Sequence, residues 1–222
     1  MLEEKIIELK KELVTFATLA ENMIAKSIKG LLKKEKTILK EVEEVHEPDA
    51  NIYEIKIEEL CTSLIAQYEP RAKDLRTVLM IFKMTSDIER MGDHAVHIAD
   101  SGLFLITKPL VKALIDIPRM ADETIKSVDD AIQSFINEDA GLARSVCERD
   151  DIIDGLQTQI FRELVTYMTS DPTTTERSLH LIRIANNLER IADLATNISE
   201  DVIFMVEGKI IKHHQEQDNP SR

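Results

Sequence analysis

The chain has 222 residues, enough for one larger domain or two small ones with a sizeable buried core. Aromatics make up 4%, Trp is absent, Gly and Pro number six each and charged residues reach 31%, which suits a helical protein poor in turns. A net charge of −13 excludes nucleic acid and an anionic membrane surface as partners and mildly favours cations.

Helix one is predicted from about Leu2 to Leu39, with Ile6, Leu9, Leu13, Phe16, Ala20 and Met23 as its apolar seam. The opening MLEEKIIELKKEL is charged from its third residue and does not read as a signal peptide. His46-Glu47-Pro48-Asp49 is expected to open helix two, since proline and acids suit a first turn. That helix continues through Ile57, Leu60, Leu64 and Tyr68. Pro70 starts helix three, which runs to about Ile106, and Pro109 and Pro118 bracket the connection between halves. Helix four is expected over about 118–137 and helix five over about 140–169. Ser170-Asp171-Pro172 reads as a cap with a first-turn proline before helix six, which reaches about Lys209. The tail HHQEQDNPSR is polar, with His213 and His214 solvated, and is expected to fray. No strand signal stands out, and the longest apolar runs, such as 202–206, are far too short to cross a bilayer.

The sequence repeats at an offset of 100 residues. Residues 77–106 and 177–206 align without a gap, with Leu79/Leu179, Glu89/Glu189, Arg90/Arg190, Asp93/Asp193, Ala95/Ala195, Ile98/Ile198 and Phe104/Phe204 identical. Ile81, Met84, Ile88, Met91, Ala95 and Ile98, like Leu181, Ile184, Leu188, Ile191, Ala195 and Ile198, step by three and four residues and form a heptad-like seam. Opposite the seam stand two ladders, Glu89-Asp93-His97 and Glu189-Asp193-Asn197, each four residues apart and so stacked on one helix face. The expected fold is all-α: two similar antiparallel three-helix bundles packed side by side, over 1–107 and 108–210, with a flexible tail over 211–222.

Height along the helices brings further carboxylates to the ladders. Helices two and three reverse near Glu69, and Asp49 lies 20 residues before that point as Glu89 lies 20 after it. Helices five and six reverse near Asp171, which sets Asp150 and Asp154 level with Glu189 and Asp193. Carboxylates gathered in this way repel one another unless protonated or bound to a cation. Oxygen ligands with an occasional imidazole suit Mg²⁺, Ca²⁺, Mn²⁺ or iron. Two similar surface metal sites are therefore expected. Set beside this is the plainer reading of a solvated helix face, with Arg90 paired to Asp93 and Arg190 to Asp193. His94 reads as an exposed polar residue before an extra ligand. Gly92, matched by Ala192, reads as close helix packing, and the methionines as seam filler. Cys61 and Cys147 form no CxxC pair and read as reduced, buried thiols without chemistry.

The two ERxxD segments, Glu89–Asp93 and Glu189–Asp193, on the third helix of each half, with Ala72-Lys73-Asp74-Leu75-Arg76, Asp49 and Asp150, resemble the PhoU family over essentially the whole chain. The resemblance implies a cytoplasmic, commonly dimeric protein that represses the phosphate-starvation response. It implies as partners the ATPase subunit of a phosphate ABC transporter and a sensor histidine kinase. It also implies metal, iron first and multinuclear in some members, at the E/DxxxD motifs. The second half departs from the pattern, reading Thr174-Thr175-Glu176-Arg177 where the first has Ala72–Arg76. No enzyme is expected, because there is no phosphate-cradling glycine loop and no nucleophile elbow. The alternatives are a ferritin-like di-iron oxidoreductase, for which only one Glu-x-x-His pair (Glu43/His46) exists, and a metal-free helical adaptor.

Overall fold

The computed structural model describes residues 1–208 and the backbone of 211–212 and 215–216. The first half comprises α1 (Leu2–Lys33), α2 (Lys36–Glu41), a π-helical turn (Val42–His46), α3 (Glu47–Tyr68) and α4 (Ala72–Leu105). The second comprises α5 (Asp116–Asn137), α6 (Ala140–Glu148), α7 (Asp150–Ser170), a 3-10 turn (Pro172–Thr174) and α8 (Thr175–Glu207). Because α2, the π turn and α3 run on without a break, and α6 and α7 are parted only at Arg149, the chain makes three long rods in each half. The all-α repeat is thus the observed fold.

The boundary between the first two rods differs from expectation. Helix one ends at Lys33, not Leu39, where Lys34 takes a left-handed φ of 56° and Glu35 N donates to Gly30 O at 2.9 Å. Leu39 then folds back between two glycines. A Cβ on Gly30 would meet Leu39 Cγ at 2.7 Å, and one on Gly102 would meet Leu39 Cδ2 at 3.1 Å. Helix two consequently begins at Lys36 rather than at His46. Pro48 lies inside the rod, where its ring faces the carbonyl of Glu44, and the wide π turn spreads the backbone at that point. Gly92 is not the tight position, because a Cβ there would meet Met23 at an ordinary 3.5 Å.

The cap at Asp171 is as read from sequence. Its side chain accepts from Thr173 N at 3.0 Å and Thr173 Oγ1 at 2.8 Å ahead of α8. Beyond α8, β1 (Ile211–Lys212) and β2 (Gln215–Glu216) pair antiparallel, a short pairing that the sequence pattern does not signal. The expected fraying of the tail otherwise falls outside the described residues, as do His213 and His214.

Both seams are buried along their length, and one continuous apolar core runs through the two halves. Met23, Met84, Met91, Met120 and Met205 all lie within it. The halves join chiefly along α4 and α8, which cross antiparallel. Lys83 meets Asp201 at 2.6 Å, His94 Nδ1 meets Asn187 Oδ1 at 2.8 Å, and the Phe104 ring stacks on His180 with centroids 4.0 Å apart. A second inter-half contact pairs α1 with α5, where Lys10 bridges to Glu138 at 2.7 Å. No described helix is long and apolar enough to cross a membrane.

Candidate functional site

The seam fixes how α4 and α8 turn their remaining faces. Glu89 and Asp93 emerge half-buried beside α3, Glu189 emerges half-buried beside α7, and Asp193 is exposed. In the first half, burial pushes the Glu89 carboxyl up to about 7, helped by the charges of Asp93 and Glu54 against the opposing pull of Arg90. Hydrogen bonding toward Asp93 adds the smallest push in the same direction. Glu54 is itself raised, by burial, then by Glu58 and Asp93.

The second half repeats the arrangement with a different donor set. Burial raises Glu189, followed by the charges of Asp193 and Asp154, with a lesser push from Asp150 and with Arg190 opposing. Burial and Asp154 raise Asp193 in the same way. Asp150, Asp154 and Asp193 thus all lie near enough for their charges to act on Glu189. In the first half Asp49 is not among the charges that raise Glu89. Asp49 is exposed, and the α3 carboxylate acting on Glu89 is Glu54, which Glu58 in turn raises. The signal for Glu54 was present in the sequence, since the offset of 100 that pairs Glu89 with Glu189 also pairs Glu54 with Asp154.

The second and third rungs of both ladders border one shared space. His97 and Asn197 line a cleft of about 360 Å³ between α4 and α8, together with Arg90, Asp93, Arg190 and Asp193. His94 also borders this cleft but is buried, contrary to the exposed position expected of it. Asn187 Nδ2 donates to Arg183 O, which leaves Asn187 Oδ1 as the acceptor for His94 Nδ1–H. Burial lowers the His94 pKa, so the neutral ring with its proton on Nδ1 is the favoured form. Arg90 does not pair with Asp93 as expected. Its Nη1 lies 3.6 Å from Asp87 Oδ1, one turn back.

Each cluster thus offers the hard oxygen donors that Mg²⁺, Ca²⁺, Mn²⁺ or iron prefers, with the repulsion that a cation relieves. Among the described residues, however, no three or more His, Cys, Asp or Glu side chains converge on a point that could hold a metal ion. The clusters are matched in electrostatics but not closed into coordination spheres. The cysteines add no donors. Cys61 is buried and Cys147 only half-buried, and burial pushes their thiols up to about 12 and about 11.

Comparison with known proteins gives these features a family. The PhoU domain matches residues 13–102 and 117–202, once in each half. A protein of Aquifex aeolicus named phosphate-specific transport system accessory protein PhoU homolog is 38% identical over 210 residues, covering 95% of each chain. A protein of Deinococcus radiodurans with the same name is 36% identical over 188 residues, covering 85% of this chain and 88% of that one. The crystal structure of PhoU from Pseudomonas aeruginosa superposes with a TM-score of 0.90 at 31% identity, covering 94% of this chain and all of that one. The phosphate transport system regulatory protein PhoU from Streptococcus pneumoniae superposes at 0.89 with 25% identity, covering 96% of this chain and all of that one. This chain therefore belongs to the PhoU family, with one PhoU domain in each half.

Proposed function

We propose that this chain is an accessory regulator of phosphate transport. It acts in the cytoplasm as a homodimer that links the ATPase subunit of a phosphate ABC transporter to a sensor histidine kinase and represses the starvation response. The observation that carries this reading is the match along almost the whole chain to relatives named for the phosphate transport system. A rigid scaffold with a common core suits work by contact rather than turnover. With both thiols raised well above neutrality, neither cysteine offers a nucleophile at physiological pH. The ferritin-like alternative is disfavoured by His46. Its Nε2 lies 2.8 Å from Lys26 Nζ at the α1–α2 corner, away from any second Glu-x-x-His pair.

The carboxylate clusters are read as cation sites, iron first, with Mn²⁺, Mg²⁺ or Ca²⁺ as alternatives. Glu54, Glu89 and Asp93 would hold the first, with Asp150, Asp154, Glu189 and Asp193 holding the second. Their mutual repulsion supports this reading, and rotation of the Glu side chains toward one point would complete each donor set. A bound cation would neutralise the cluster and fix α3 to α4 and α7 to α8.

Capture of the tagged chain from cells grown with and without phosphate tests the regulatory role. Recovery of a transporter ATPase or a sensor kinase supports it, and recovery of neither removes it. Elemental analysis tests the cation sites in untagged protein. Stoichiometric metal that falls by about half in either Glu89→Ala/Asp93→Ala or Glu189→Ala/Asp193→Ala supports two sites, and unchanged metal content rules the clusters out.

A further inference from the structure

Among the described residues, the hairpins α3–α4 and α7–α8 each leave a two-helix face uncovered. On α8, Leu179 and Ile182 share one stripe with Glu189 and Asp193, spaced by three and four residues through Asn186. On α7, Asp154 shares a stripe with Phe161 and Val165, through Thr158. The two helices run antiparallel about the turn at Asp171. Phe161 and Val165 therefore come level with Ile182 and Leu179, while Asp154 comes level with Glu189, whose pKa it raises. The face is apolar at its loop end and acidic two turns further on.

Three of its large apolar side chains stand in water: Phe161 is 51% exposed, Leu179 46% and Val165 38%. The first half repeats the pattern, with Leu79 44% and Phe82 40% exposed on the stripe that carries Glu89 and Asp93. Exposed apolar residues scattered singly need no explanation, but a set kept at the same steps in both halves does.

We infer that the α7–α8 face docks a helix of a partner protein. The apolar side chains of that helix cluster at one end, and its Lys or Arg side chains follow about two turns, roughly 10 Å, later. Charge selects this occupant. A second copy of the same face would set acid against acid, or acid against apolar side chains. The chain's net charge of −13 repels an anionic membrane. A basic–apolar helix satisfies both ends at once. The inference rests on reading the chain as a regulator that works by contact, and it gives that contact its chemistry. Because the acidic end uses the carboxylates read as cation ligands, a cation and the helix compete for it.

The test uses the full chain freed of metal and a fluorescent designed helix of about 18 residues, with Leu at one end and Lys two turns on. The control peptide carries Glu in place of Lys. Saturable binding is expected, about tenfold or more weaker for the control peptide, for the F161S/L179S chain and for the D154N/E189Q chain. Equal binding by the control peptide or by both variants overturns the inference. So does a concentration-dependent dimer that F161S/L179S abolishes, because the face would then belong to a second copy. Added Mn²⁺ is expected to weaken the peptide. If it does not, the cation reading falls and the dock stands. Failure to capture a transporter ATPase from cells counts against the proposed pathway, not against this peptide result.

Discussion

The two carboxylate clusters occupy the same rungs of α4 and α8 and meet water differently. In the first, Glu89 and Asp93 are both half-buried, and burial with the charges of Asp93 and Glu54 pushes Glu89 up to about 7. In the second, Asp193 and Asp154 are exposed, and shorter aspartates replace the glutamates of α3. A duplicated motif does not guarantee duplicated chemistry, because the neighbouring helix sets burial and reach. The inter-half contact shows the same asymmetry. Lys83 pairs with Asp201, which is 5% exposed and whose Oδ2 has no hydrogen-bond partner, whereas the residues 100 positions away are Arg183 and Ser101.

That contact gives the largest expected effect. Lys83→Ala leaves a buried carboxylate without its cation and is expected to cost about 2 kcal/mol, tempered by the exposure of the lysine head. Arg183→Ala at the repeat-related position is expected to cost less than about 0.5 kcal/mol. Urea unfolding of both variants checks the difference, and equal losses would mean that the two crossings are alike.

Proton binding separates the clusters next. Glu89 holds its proton more tightly folded than unfolded. Its contribution to stability is therefore present below about pH 4.5 and lost as pH rises through about 7. In metal-free protein, Glu89→Gln is expected to flatten this fall by about 1 kcal/mol once solvent screening is allowed for. Glu21, also pushed up to about 7 by burial and Asp129, keeps its own share of the slope in that variant. Carboxyl NMR titration is expected to place Glu89 above Glu189, and the reverse order would break the comparison.

The smallest expected effect sharpens it. Gly155 lies inside α7, and a Cβ there meets nothing within 4 Å. Gly155→Ala is expected to stabilise the protein by about 0.5–1 kcal/mol through helix propensity. Gly30→Ala should instead destabilise, by about 1 kcal/mol, because the Leu39 side chain must shift to make room. Thermal melts distinguish the two signs.

Periodicity made most of the fold legible. The steps of three and four that mark the seams of α4 and α8 are the buried positions. The end of α1 was hidden because Lys34, not a glycine, takes the left-handed cap, so the sequence gives no stop signal there. Pro48 suggested a helix start because a π turn is invisible to composition. At the site, axial height was readable but rotation was not. Height alone chose Asp49, while the offset of 100 applied to Asp154 leads to Glu54. His94 lies off the heptad-like seam, so periodicity gives no sign of its burial, which comes from a second flank of α4 packed against α8.

The segment between the halves carries one more consequence. Lys112 is almost fully covered, where it bridges Asp116 and Glu163, and Arg177 donates to the carbonyl of Pro109 at 2.9 Å. The crossing is thus stitched to both α5 and the α7–α8 hairpin. The linker is held on both sides rather than left as a free joint, and a protease nick near Leu110 should leave two fragments that still migrate together.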